Sequence, residues 1–599
     1  MTKSEIEELY LERARRYYSS EETTRKRITL VSILRLITFL LGVLLTVYAF
    51  KFSSLCGSLV LVLSVSAFLV LLRYFNRLSD RAGYYSRIAR INKDESGALA
   101  GNYSHFDGAA GESDTSHDFS ADTDLFGVDS VFSMLNRTFT IYGRGKLAEW
   151  LKHLAGIKHE LGQRQNAVKE ISTKLDWRQD FSARGMVSSL EDQDIKDFQD
   201  WLTGDEMIFS NRIKRAALVF FPSLSVLSLI LMIAGVAEWQ IFACSFLFNL
   251  LLVAGGLKKT NRIHTRLSGK NRFLSSFGEL LNCIKKEEFH SEIFVKMKGD
   301  LFGEEMSAEK MMNKLSVIAN LFDSRLNMFA GFVLNGLVLW DYQCLKALGG
   351  WKSAASGHFT VWLDYIGETE AYISLANFAY NNPEFTFPVN ADDKFVLKAE
   401  SMGHPMIAED KRVCNDISVE EGEIIVVTGA NMSGKSTFLR TVAVNMILAS
   451  SGAPVCAASM RFKPFRLFTS MRTSDSLSHG ESYFYAELKR LRVLKELLEK
   501  DENILFLLDE ILKGTNSVDK STGSKLFVTR LTQLGATGLI ATHDISLGEL
   551  EKLPGSRVKN KCFEIEIEGE KVFFDYRLRN GVTSRMNAAI LMKEMGIAD

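Results

Sequence analysis

The sequence predicts two kinds of structure in one chain. An α/β domain of P-loop type lies at the C-terminus, and an all-α region containing helical hairpins of transmembrane length precedes it. Three observations predict this. A strand-like run, 423–428, passes through Gly429-Ala430-Asn431-Met432-Ser433-Gly434-Lys435-Ser436-Thr437 into a helix-like run. Two more apolar strands follow, one ending in Asp509-Glu510 and one in His543-Asp544. Four long apolar runs without charge occupy the first half, and only 7 prolines interrupt the whole chain.

Taken in order, residues 1–27 read as a charged helix beginning Ser4-Glu5-Ile6-Glu7-Glu8-Leu9. A first hairpin spans 28–73. Its runs are 36–50, which extends back to Ile28 if Arg35 sits at an interface, and 52–72. A second hairpin, within 206–257, comprises 216–237 and 239–257. About 20 uncharged apolar residues suffice to cross a bilayer as a helix. A buried core helix is the other reading of any one run, but soluble cores rarely need four. Arg25, Lys26 and Arg27 precede the first pair, and Arg73, Arg77 and Arg81 follow it; Arg212, Lys214 and Arg215 precede the second, and Lys258, Lys259 and Arg262 follow it. Such flanks place the ends of both hairpins on the cytoplasmic side of a cytoplasmic membrane, crossed several times, with the lipid bilayer as a partner. Residues 326–340 are also apolar, but shorter, and read as buried core.

Between the hairpins, 74–93 reads as a helix. No Lys or Arg occurs between Asp94 and Asn136, and Gly, Ser and Asp dominate up to Asp124, so 94–124 reads as a flexible acidic linker. A partner-binding or DNA-mimicking tail is the other reading of that composition. Helical core sequence fills 125–205 and resumes over 258–400, broken at Asn381-Asn382-Pro383 and Phe387-Pro388. The α/β domain is 401–599. Within it Leu488, Leu491, Leu494 and Leu498 fall at three- and four-residue steps, the apolar stripe of a helix.

The chemistry follows from the strand ends. A Gly-rich turn between strand and helix presents backbone N–H groups and a helix N-terminus to phosphate oxygens. Lys435 then reaches the outer phosphates and Ser436 can ligate Mg²⁺, which implies a nucleoside triphosphate such as ATP. The apolar run 503–508 reads as a parallel strand buried on both faces. Asp509 at its end can hold Mg²⁺, and Glu510 can orient an attacking water. His543, at the end of 538–542, is placed to sense the γ-phosphate; a purely structural histidine is the alternative. The 72 basic and 72 acidic residues cancel, so no global basic bias points to nucleic acid. The 7 cysteines form no C-x-x-C pair, so neither a zinc site nor a disulfide framework is indicated.

These segments resemble the MutS family of DNA mismatch-repair ATPases. The 428–437 loop carries that family's Asn-Met pair, and Asp509 to Ser517 is similar to its magnesium segment and dimer-contacting loop. Thr542-His543-Asp544 resembles its switch histidine. Gly480-Glu481-Ser482-Tyr483-Phe484-Tyr485-Ala486-Glu487-Leu488, with Asp475 upstream, resembles its signature segment. Ser401-Met402-Gly403-His404-Pro405 resembles the opening of its ATPase domain, and Leu135 to Leu151, with Leu363 to Ile366 and Ser374 to Ala376, its helical core and levers. The likeness covers about 125–200 and 310–599 and is densest from 401 on.

The resemblance implies a homodimer with composite ATP sites, in which Lys435 and the loop amides hold phosphates and Ser436 and Asp509 hold Mg²⁺. Glu510 polarises water, His543 reports the γ-phosphate, and Ser482 reaches the partner's nucleotide. There are departures. Ala430 stands for the usual Pro and Ser433 for the usual Gly. No N-terminal domain with a Phe-x-Glu wedge is found: Phe277-Gly278-Glu279 and Phe302-Gly303-Glu304 match in letters but lie in helical core sequence. The clamp region is short. Two functions stay open: a membrane-anchored ATPase that binds duplex DNA and serves mismatch repair, or a membrane mechanoenzyme that uses the same engine without DNA. A transporter ranks below both, because the apolar runs carry almost no ionisable residues.

Overall fold

The computed structural model describes residues 1–114, 116–154, 160–187, 200–202, 212–267, 271–303, 307–391, 394–472, 483–500, 503–513, 516–568 and 571–583. Its first half is helical. Helices α1 (Lys3–Phe50) and α2 (Ser54–Leu99) form one long antiparallel hairpin. The divisions expected near 27 and 73 do not exist, because neither Pro nor Gly interrupts the chain there and helix propagation continues. A capping box closes the start of α1: Thr2 Oγ1 accepts from the Glu5 amide, and Glu5 accepts from the Thr2 amide.

The two halves of this hairpin differ. Near the termini of α1 and α2, Ile6, Tyr10, Leu78, Ile88 and Ala89 are buried against the body. Away from the body, residues such as Leu36, Leu44, Leu55 and Leu63 face outward.

Short helices α3 (Val131–Leu135), α4 (Ile141–Lys152), α5 (Leu161–Thr173) and α6 (Leu175–Gly185) follow. Then come α7 (Arg212–Ile233), α8 (Trp239–Leu267), α9 (Asn271–Lys286), α10 (Glu292–Phe302), α11 (Ala308–Asp323) and α12 (Met328–Val338). The long α13 (Trp340–Asn381) closes the helical part. Among the described residues four helices, α1, α2, α7 and α8, are long and apolar enough to cross a membrane, or up to five if a bent pair is counted as one span. Phe277 is fully buried in α9, which excludes it as a wedge against a base.

Two expectations are corrected here. Residues 326–340 are not buried core. Helix α12 bends by 109° from the helix before it, with Met328, Phe329 and Phe332 exposed and Gly331, Asn335 and Gly336 turned inward. Apolar composition alone does not distinguish a core helix from one that shows its large side chains outward. The inward face is polar-tuned: Asn249 on α8 donates to the Gly336 carbonyl, and Asn335 donates to buried Asp341, which also pairs with Arg325 at 3.1 Å.

Residues 94–124 are not a free linker. Helix α2 runs through to Leu99, and the segment after it docks on the α/β domain, with Phe119 and Leu125 buried. Its aspartates find specific partners. The Asp122 carboxylate accepts from Thr469 Oγ1 at 2.6 Å, the Arg472 amide at 2.7 Å and the Met471 amide at 3.1 Å. Asp118 pairs with Arg466 at 2.7 Å, its carbonyl accepts from Arg490, and Asp124 grips Arg472 with both oxygens. This acidic strap is fixed by basic residues some 350 positions further on.

Helix α13 is the spine of the helical part. Its buried Glu370 accepts from the Phe139 and Thr140 amides and from Thr140 Oγ1, which locks the start of α4. Its last residue, Asn381, donates to Glu95 on α2 and accepts from Tyr10 on α1.

The α/β domain holds two larger sheets and one short antiparallel pair, β10 (Glu566–Glu568) and β11 (Lys571–Phe573). In the first, β1 (Val389–Asn390), β5 (Ser459–Phe462), β2 (Phe395–Met402) and β3 (Asn415–Glu420) lie side by side in that order. The second is ordered β12 (Leu578–Asn580), β9 (Val558–Phe563), β4 (Ile424–Gly429), β8 (Thr537–Thr542), β7 (Ile504–Asp509) and β6 (Arg466–Ser470). It is parallel except for β12. Every residue of β4 and β8 is buried, as expected of central strands covered on both faces. Helices α14 (Lys435–Ser451), α15 (Tyr483–Glu499) and α16 (Ser517–Gln533) complete this domain among the described residues.

Candidate active site

The parallel register brings the C-terminal ends of β4, β7 and β8 together. Thr428 pairs with Thr542 and Asp509 with Ala541, so the 429–437 loop, Asp509-Glu510 and His543 share one edge of the sheet. Crevices at that edge are where open α/β sheets bind ligands. They line a cavity of about 490 Å³.

The loop is built for close approach. Gly434 has φ 99°, a conformation costly for residues with a Cβ, and lies where a side chain would press on the Tyr576 ring. Met432 takes φ 65° despite its side chain and stays exposed at the cavity mouth. Helix α14 begins at Lys435, so its first N–H groups face the same space.

Lys435 Nζ folds back onto the loop, donating to the carbonyls of Ala430 at 2.8 Å and Gly429 at 3.0 Å. Burial lowers its pKa to about 8, against the pull of Asp509 and Glu510. The Ser436 hydroxyl donates to Asp509 Oδ2 at 2.5 Å. The two oxygen donors expected to share a hard cation are therefore adjacent. Among the described residues the buried Ser433 hydroxyl has no hydrogen-bond partner. These residues fit an anionic ligand with a divalent cation.

Glu510 occupies the left-handed region, φ 52°, and so does Leu512, φ 62°. Strained backbone of this kind costs of order 1–3 kcal/mol per residue and persists only where surrounding contacts enforce it. Two contacts do so here. The Glu510 amide donates to the Ala541 carbonyl at 2.8 Å, and Glu487 on α15 accepts from the Leu512 and Lys513 amides at 2.5 and 3.0 Å. The Glu510 carboxylate meets His543 Nε2 at 2.6 Å, and this hydrogen bond holds its pKa down to about 2. It is ionised at any pH near neutrality.

Among the expected residues, Asn431, Met432, Gly434 to Thr437, Asp509, Glu510 and His543 line this cavity, while Gly429, Ala430 and Ser433 lie in the same loop but not on its wall. Ser482, Asp475, Gly514 and Thr515 lie outside the described residues. Sequence reasoning assigned no role to Glu487, His404 or Tyr576. Glu487 takes the core-facing position that the leucine stripe gave to Leu488, which is exposed. His404 lines the cavity, and burial pushes its imidazole down to about 4, so it is neutral. Its segment was singled out by resemblance; Tyr576 carried no local signal.

Comparison with known proteins matches residues 425–595 to the model of MutS domain V. DNA mismatch repair protein MutS of Thermotoga sp. (strain RQ2) is 35% identical over 220 residues, covering 36% of this chain and 27% of that protein. The protein of the same name from Thermotoga maritima is 33% identical over 249 residues, covering 40% and 31%. That from Acetivibrio thermocellus is 31% identical over 245 residues, covering 39% and 27%. The chain thus spans under a third of the length of these relatives.

Proposed function

This chain belongs to the MutS family through its C-terminal domain, and on that premise we propose that it is a membrane-anchored ATPase. In this reading it hydrolyses ATP at a dimer interface and moves its helical levers. The observation that carries the reading is the single cavity that joins Lys435, the Ser436–Asp509 pair and the Glu510–His543 pair.

Each residue has a task. Lys435 exchanges its loop carbonyls for the outer phosphates, and the amides of 431–436 hold the remaining oxygens. Ser436 and Asp509 would hold Mg²⁺, which when bound neutralises charge on the phosphates. Glu510 accepts a hydrogen bond from the attacking water and aligns it, kept in place by His543 and by the Glu487 clamp. Ser482 of a second copy completes the site. The apolar helices α1, α2, α7 and α8 support anchoring in a cytoplasmic membrane, with the ATPase domain on the cytoplasmic side.

The relatives are named for DNA mismatch repair, which makes duplex DNA the first load to test. One observation favours a second reading, in which the levers drive membrane hairpins instead. Pro222 inside α7 cannot donate to the Leu218 carbonyl, and Gln343 on α13 fills that vacancy at 2.8 Å. Tyr342 on α13 also donates to the Leu252 carbonyl of α8 at 2.7 Å. The lever is thereby joined to both helices of the second hairpin.

The test is ATPase rate of the full chain with and without duplex DNA, at low and high salt, in detergent and in lipid. Stimulation by DNA that fades with salt supports the DNA reading. Indifference to DNA with a response to lipid supports the mechanoenzyme.

A further inference from the structure

A cavity of about 330 Å³ lies where α7, α8 and the start of α13 meet, and neither ATP nor DNA accounts for it. Its floor is apolar: Leu218, Phe221, Leu252, Leu339 and Leu345 line it. A Cβ at Gly256 would lie 2.2 Å from the Tyr342 hydroxyl, so glycine there leaves room for the Tyr342 ring against α8. Lys214 and Lys259 stand at its rim, one on each hairpin helix, at the ends that flank the apolar runs. Both are exposed, and among the described residues neither has a hydrogen-bond or ion-pair partner.

We propose that this cavity binds one anionic phospholipid, an acyl chain against the leucine floor and the phosphate between Lys214 and Lys259. The proposal rests on the reading of α7 and α8 as membrane helices. Along each helix the basic residue comes at the membrane–cytoplasm boundary and the apolar residues lie deeper, the polarity order of a phospholipid itself. Basic pockets between membrane helices on the cytoplasmic side are suited to anionic head groups. An apolar cavity of this size with a few convergent charges is ligand-like in shape and chemistry. The charge complementarity selects an anionic over a zwitterionic lipid. Because Tyr342 and Leu345 belong to α13, an occupant would touch the lever directly and bias its position.

Native mass spectrometry of the detergent-solubilised full chain, titrated with phosphatidylglycerol or phosphatidylcholine, tests this. One saturable phosphatidylglycerol is expected, bound roughly 30-fold more tightly than phosphatidylcholine, which corresponds to about 2 kcal/mol for two lysines. The double variant Lys214→Gln/Lys259→Gln should lose that preference, and Lys214→Arg/Lys259→Arg should keep it. Equal binding of the two lipids by the native chain overturns the proposal, as does a preference that survives the Gln variant. Alkaline extraction of native membranes separates the premise from the proposal. Release of the chain in soluble form overturns the membrane reading itself; retention without lipid discrimination overturns only the lipid site.

Discussion

At the scale of single residues, the site is held by three short-range devices: a lysine folded onto its own loop, a serine on an aspartate, and a glutamate on a histidine. Lys435 gives a test with a sign. Burial lowers its pKa to about 8, and phosphate charge favours the ammonium. Nucleotide binding at pH 8 should therefore take up protons, up to roughly half a proton per site from this group, fading towards pH 6. Calorimetry in buffers of different ionisation enthalpy measures it; proton release would contradict the assignment. Replacing Glu487 with Ala should leave the Leu512 and Lys513 amides unpaired and free Glu510 from its strained conformation. The expected loss is about 1–3 kcal/mol of local stability and a larger fall in ATP turnover than in nucleotide affinity, read from kcat and KM separately. The residues at the ends of β4, β7 and β8 were legible in the sequence because each is the local product of an apolar run and the turn after it. Glu487, His404 and Tyr576 were not: His404 and Tyr576 reach the cavity, and Glu487 reaches the Leu512 and Lys513 amides, from outside those strand ends, and no spacing in the chain records those meetings.

At the scale of elements, hydropathy marks the apolar runs but neither the full length of the helices that carry them, since α1 and α2 run over Lys3–Phe50 and Ser54–Leu99, nor their surroundings. The apolar residues of α12 suggest core, yet its glycines and asparagine face inward and its phenylalanines outward. The strap after α2 reads as a linker because Gly, Ser and Asp compose both. What makes it structure is the set Arg466, Thr469, Arg472 and Arg490, far along the chain. The strap connects a candidate membrane helix to β6 and the residues just after it, immediately before the 473–482 stretch that carries the expected partner-reaching serine. Asp122→Ala should leave the Met471 and Arg472 amides without their acceptor and the Thr469 hydroxyl with only the Asp118 carbonyl at 3.3 Å, at a cost of about 1–3 kcal/mol. Denaturant unfolding of the full chain followed by tryptophan fluorescence measures this. A cost below 0.5 kcal/mol, roughly that of a neutral surface change, would mean the strap is not fastened as described.

At the scale of the molecule, α13 unites the parts. One end is tied to α7 and α8 through Gln343 and Tyr342, its middle to α4 through Glu370, and its far end to α1 and α2 through Asn381. Gln343→Ala should restore an unpaired carbonyl opposite Pro222 and loosen the lever from the second hairpin. The expected outcome is a basal ATPase that no longer responds to reconstitution in lipid; an unchanged response would remove this contact from the coupling. The central claim is more basic than the coupling: that the cavity at the ends of β4, β7 and β8 hydrolyses ATP. The most direct measurement is Mg²⁺-dependent ATP hydrolysis by the purified full chain beside Glu510→Gln and Lys435→Ala. Glu510→Gln should still bind ATP but turn it over about 10²–10⁴-fold more slowly, and Lys435→Ala should lose binding. Hydrolysis at the native rate by both variants would contradict that claim.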